Sequence, residues 1–199
     1  MPDTITSRDQ VFVKELVGYF KAANAYELLD ETGNKIGEVK EEIPGWFKKM
    51  LKFSNWKTML SFQVPFFDAD GQEFMRVWRK FSFMRSNVFC QDLDGRVVGQ
   101  FKQKLLSLGG KFEILDTDGQ PLGLVQGDWK GWDFKVTDNH QQEVGQITKQ
   151  WAGIGKELFT TADNYVISIN PGAALTPDMR KLVYAAGICI DMVLKEQGR

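Results

Sequence analysis

The sequence predicts a mainly β domain, a closed antiparallel barrel of about twelve strands around one C-terminal hydrophobic helix. Three observations predict it. A hairpin-sized unit recurs along the chain, each copy carries a glycine at the same place in its second arm, and one long apolar run stands near the C-terminus.

The recurring unit is clearest at residues 111–127, KFEILDTDGQPLGLVQG: an apolar alternation, an acidic Gly turn, then a second alternation. Residues 88–104, 133–149 and 26–40 repeat it, and 62–80 is a looser copy around Asp68-Ala-Asp-Gly71. Alternation with period two buries one face of each arm, and Asp-Gly supplies the positive φ that a tight hairpin needs. The second-arm glycines are Gly37, Gly99, Gly123 and Gly145. Such a glycine signals a bulge or a close backbone approach, which bends a strand toward closure. Five hairpins supply ten strands, and residues 10–20 and 158–169 read as two more. So many consecutive antiparallel strands would leave long open edges unless the sheet closed.

Thr176-Pro-Asp is a helix start, with a hydroxyl cap, Pro at the first helical position and an acid in the first turn. The run at 182–194, LVYAAGICIDMVL, is apolar on every face except at Asp191. A helix apolar all round must be buried, and about 20 Å of it is short of a ~30 Å hydrocarbon core. It is therefore expected inside the barrel over 176–196, with Leu182, Ile188 and Val193 fully buried. Ala185, Ala186 and Gly187 would let the wall come close. Asp191 is the structural polar residue of this helix, and its buried carboxyl needs either a partner on the wall or a raised pKa. The domain is expected over 10–199, with 1–9 as a flexible N-terminus.

Composition bounds the function. Of 199 residues, 43% are hydrophobic and 26% charged, which fits a folded core. Residues 1–10 are polar, so no secretory signal is expected, and Cys90 and Cys189 offer neither a disulfide framework nor metal-ligand spacing. A cytoplasmic protein, at most peripheral to the inner membrane face, is the expectation. The net charge of −1 argues against a nucleic-acid partner. Its distribution is uneven, because residues 43–86 carry eight bases against three acids.

Ile147-Thr-Lys-Gln-Trp151, then Glu157-Leu-Phe-Thr-Thr-Ala-Asp-Asn-Tyr165, then the apolar helix reaching Asp191, resemble the closing third of phospholipid scramblases. The LURP-one-related proteins share this plan, and both groups are similar to the tubby C-terminal domain, a closed barrel around a central hydrophobic helix. The resemblance runs over about residues 10 to 197. It implies a non-enzymatic, lipid-binding barrel. Of the polar scramblase segment that opens Asp-Ala-Asp-Asn, only Asp163 and Asn164 match. Too few oxygen ligands remain there for calcium, and no calcium-dependent function is expected. The proline-rich arm and the palmitoylated cysteine cluster of scramblases have no counterpart in this sequence, so scrambling itself is not carried over.

No motif identifies a reaction. Asp-x-Asp-Gly at 68–71, 92–95 and 116–119 has its Gly fourth, whereas an EF-hand loop needs it sixth, so these are turns. His140, the one histidine, sits in the most degenerate turn, a poor place for a desolvated triad. Gly153-Ile-Gly155-Lys156 lacks phosphate-loop spacing. Neither a metal nor a cofactor is expected.

The stretch that stands out is WFKKMLKF at 46–53. At helical pitch its Trp, Phe, Met and Leu share one arc, and its lysines occupy the other. Trp46, Lys48, Lys49, Lys52, Trp56 and Lys57, with Arg76, Arg79 and Lys80, are the candidate contacts for an anionic phospholipid surface. The plainer reading of the same insert is a lid on one end of the barrel. Two further readings stay open: a soluble protein-interaction scaffold, and a small-molecule carrier using a gap beside the central helix.

Overall fold

The computed structural model describes residues 5–16, 24–42, 61–79, 87–103, 110–150 and 164–196. Of the segments singled out above, 43–60, Lys80, 153–156 and Asp163 lie outside the described residues. Twelve strands form one closed antiparallel barrel in chain order. They are β1 (Gln10–Glu15), β2 (Ala25–Leu29), β3 (Lys35–Lys40), β4 (Phe62–Asp68), β5 (Glu73–Arg79) and β6 (Asn87–Asp92), followed by β7 (Val97–Gln103), β8 (Lys111–Leu115), β9 (Pro121–Asp128), β10 (Asp133–Asp138), β11 (Glu143–Thr148) and β12 (Tyr165–Ile169). The seam closes where β12 pairs with β1, Val13 opposite Tyr165. Of the two strands expected at 10–20 and 158–169, β1 is described from Gln10 to Glu15 and β12 from Tyr165 to Ile169, and residues 17–20 and 158–163 lie outside the described residues.

The five hairpins share one turn. Its opening Asp (30, 68, 92, 116 or 138) pairs through its backbone with the residue four on. Its carboxylate oxygen Oδ1 accepts the N–H of that same residue, and in four of the turns also the N–H two residues on. This is Asx-turn chemistry, and it occupies the carboxylates that a calcium reading would have used. The fourth residue takes a left-handed φ, at Gly33, Gly71, Gly95 and Gly119, and at Gln141 (φ 63°) in the fifth turn.

Each second arm then carries one extra residue. Leu28 faces Gly37 but Leu29 faces Lys35, leaving Ile36 as a bulge. Val98, Leu122 and Val144 are the extra residues in three other hairpins, and Phe74 in the one where Met75 replaces the glycine. A Cβ on Gly37, Gly99, Gly123 or Gly145 would run into the carbonyl oxygen of Phe67, Leu115, Thr137 or Ser168 on the next strand. The repeated glycine is therefore both bulge partner and close approach, and five such bends help curl the sheet shut.

Inside runs α1 (Pro177–Glu196). Thr176 caps it, its hydroxyl accepting the Met179 N–H at 3.2 Å. Every side chain from 182 to 193 except Gly187 is in the buried core, Leu182 and Ile188 at 0% exposure and Val193 at 8%. A twelve-stranded barrel is too wide for its own side chains to fill, and this helix fills it. Gly187 allows the close approach: a Cβ there would lie 2.5 Å from Ile167 Cδ1 on β12. The helix start is tied to the wall from outside. Arg96 donates to both carboxylate oxygens of Asp178, at 2.8 and 3.0 Å. Arg180 donates to the carbonyls of Thr6 and Arg8 and to Asp9. Residues 5–9, read from the sequence as part of a flexible leader, thus lie against the helix, and Ile5 is 1% exposed in the core.

Candidate functional site

Up-and-down topology sorts the connections by end. The five Asp turns and the start of α1 gather at one end, here the turn end. The opposite loop end receives the other six connections and the C-terminal end of α1. Both strand ends flanking the basic insert, those of β3 and β4, belong to the loop end.

Trp46, Lys48, Lys49, Lys52, Trp56, Lys57 and Lys80 lie outside the described residues. Arg76 and Arg79 are described, and they differ. Alternation from Met75 puts Val77 and Arg79 on the inner face and Arg76 on the outer. Arg79 is 4% exposed, its guanidinium 4.6 Å from the Phe62 ring centroid. Arg76 donates Nε and Nη2 to Glu73, both at 2.8 Å, and Nη1 to Glu42 and Gln63. Those bonds, to Glu73 first, hold its pKa above the ordinary value. Its charge is already neutralised by two carboxylates, which leaves little for an outside anion.

One described surface element was missed from the sequence, although its signal, Trp-Lys-Gly-Trp at 129–132, is plain in retrospect. It is the β9–β10 turn. Asp128 organises it, Oδ1 accepting the Lys130 N–H at 2.9 Å and Oδ2 that of Gly131 at 3.2 Å. Trp132 has φ 50°, a left-handed backbone rare for a bulky residue. Its ring lies 4.6 Å from that of Tyr165, and the Lys149 ammonium stands 4.8 Å over it. Lys130 stands 5.5 Å from the Trp129 ring. Two cation–π pairs thus sit side by side at the loop end.

Of the two alternatives open to a buried Asp191, the structure supplies the partner on the wall. It is 5% exposed, and the Tyr26 hydroxyl on β2 donates to its Oδ2 at 2.6 Å. Burial, and then the Asp191 charge, push the Tyr26 and Tyr165 hydroxyl pKa values well above the ordinary range. Both phenols stay neutral, and the pair locks the late turns of α1 in register with β2. Cys90 and Cys189 are buried thiols, and burial pushes Cys90 up to about 12 and Cys189 above its ordinary value. A thiol nucleophile needs the thiolate, which these sites suppress. His140 is exposed at a hairpin tip, its N–H given to Asp138.

A family model described as Scramblase matches residues 2–197. The chain belongs to the scramblase family. It is 25% identical to Altered inheritance rate of mitochondria protein 25 of Saccharomyces cerevisiae, across 96% of this chain and 69% of that protein. Against human Phospholipid scramblase 2 the identity is 25%, across 99% of this chain and 69% of the relative. A phospholipid scramblase family protein of Schizosaccharomyces pombe is 21% identical, and this chain spans 53% of its length. An Arabidopsis thaliana protein of solved structure superposes with a TM-score of 0.52 at 14% identity, covering 96% of this chain and 92% of that one. This last likeness carries the fold alone. Among the described residues no helix is long and apolar enough to cross a membrane.

Proposed function

We propose that this scramblase-family barrel is a non-enzymatic protein that binds anionic phospholipid at a membrane surface through its loop end, with the insert at 46–57 as the main contact. The observation that carries the reading is that the strand ends flanking the insert, those of β3 and β4, lie at the same end of the barrel as the Trp/Lys turn at 129–132. Lysines attract the anionic surface, and Trp rings favour the headgroup level of a bilayer. The α1 side chains fill the lumen, so the contact falls on the outer surface rather than in a ligand cavity. The names of the human and fission-yeast relatives support phospholipid as the partner class.

Co-sedimentation with vesicles tests this. Binding should rise with the fraction of phosphatidylserine and weaken as salt is raised. Equal binding to neutral and anionic vesicles, or none to either, would refute the proposal.

A further inference from the structure

The charge of the chain is sorted along the barrel axis. The six loop-end connections (16–24, 41–61, 80–86, 104–110, 129–132 and 149–164) hold eleven Lys and Arg against four Asp and Glu. The five hairpin turns at the other end (30–34, 68–72, 92–96, 116–120 and 138–142) hold one Arg against nine Asp and Glu. Five of the six tryptophans also fall in the loop-end connections. A net charge of −1 therefore conceals connections whose sequences are basic and aromatic at one end of the barrel and acidic at the other.

We propose that the barrel stands end-on upon an anionic bilayer, and that the β9–β10 turn is a second contact beside the insert. This inference rests on the reading of the protein as a phospholipid binder. Lys130 and Lys149 take anionic headgroups, while Trp129 and Trp132 sit at the interfacial level. The turn is prepared for this in the free protein. Asp128 holds its backbone, Lys149 donates its N–H to the Trp132 carbonyl at 3.0 Å, and both indoles already pack on the core. Little conformational freedom is left to lose on binding, which favours affinity. The acidic end does not oppose docking. Strands of five to eight residues hold the two ends roughly 20 Å apart, about two Debye lengths at physiological salt. At longer range, before contact, the same asymmetry turns the basic end toward a negative surface.

The two native thiols are buried and held protonated, so an introduced exposed cysteine is the one that a maleimide probe labels. The experiment uses the full chain as Gln150→Cys, an exposed position whose amide lies against the Gly131 carbonyl of the turn, and, separately, Asp118→Cys, each carrying an environment-sensitive fluorophore, with phosphatidylserine vesicles. On vesicle-bound protein the probe at 150 should shift to the blue and brighten severalfold, and the probe at 118 should stay as in water. A single-stranded oligonucleotide in place of vesicles should leave both unchanged. Vesicle binding with the response at 118, at both positions or at neither overturns the end-on orientation and leaves phospholipid binding standing. Failure to bind vesicles at all removes both. A response at 150 to the oligonucleotide alone assigns the end to nucleic acid and overturns the inference.

Discussion

Replacing Gly145 by Ala puts the repeat's glycine to a test whose sign is in question. Gly145 has no left-handed φ, so its backbone suits any residue. If nothing approached it, Ala in its place would stabilise a strand by about 0.5–1 kcal/mol. The structure reverses that expectation. A Cβ at 145 would lie 2.5 Å from the Ser168 carbonyl oxygen and 3.5 Å from Ile169 Cα, both backbone atoms of β12. The first is about an ångström inside the ~3.5 Å optimum for carbon contacts. No rotamer can relieve it, so β11 and β12 must part. The neighbouring Asn170 N–H to Val144 carbonyl bond, 2.9 Å long, stretches with them. Overpacking of this kind costs about 1–3 kcal/mol. In a domain of this size that lowers Tm by about 2–4 °C per kcal/mol. Urea unfolding followed by circular dichroism gives the midpoint, with an unchanged slope showing that stability alone has moved. A Gly145→Ala protein as stable as the parent, or more so, would refute the close-approach account of the repeat.

Other expectations follow from the same geometry. Gln141→Gly should stabilise by a few tenths to about 1 kcal/mol, since Gln141 holds the left-handed position that glycine fills in the other four turns; a lower urea midpoint would contradict it. Tyr26→Phe removes the hydroxyl that bonds Asp191 and should cost about 1–3 kcal/mol, read in the same assay. Acid should weaken the fold through Asp30 and Asp178. Hydrogen bonds, from the Thr32 hydroxyl first, hold Asp30 at about 2, and those from Arg96 hold Asp178 below its ordinary value. Depressed folded values mean that their contribution is complete above the unfolded carboxyl range and fades as pH falls through the folded values. The Asp30→Asn and Asp178→Asn proteins should therefore lose less stability than the parent between pH 4 and about 2, and parallel pH profiles would contradict this.

Much of the fold was legible because its signals are local and repeated. Gly37, Gly99, Gly123 and Gly145 announced the bulges, and a run apolar on every face announced a helix with no outside. Asp191 announced a buried partner but not which one, because Tyr26 lies 165 residues away and nothing local couples the two. The ties of Arg96 to Asp178 and of Arg180 to residues 6–9 were hidden for the same reason. Arg79 was misjudged by charge alone, although alternation counted from Met75 puts it on the inner face. The Trp-Lys-Gly-Trp turn joins two hairpins and lies outside the repeated unit, so the repeat carries no signal for it.

The central claim, that lysines of the insert carry phospholipid binding, meets its most direct test in one comparison. Lys48→Glu, Lys49→Glu and Lys52→Glu are combined, and co-sedimentation with phosphatidylserine vesicles at moderate salt is set beside that of the parent. Each lysine near an anionic surface contributes about 1 kcal/mol, so removing three should weaken binding on the order of a hundredfold or more. The unfolding free energy from urea titration should hold within about 0.5 kcal/mol, the range usual for surface substitutions. Loss of vesicle binding in a protein that still folds is the predicted result. Undiminished binding by the triple mutant would contradict the account.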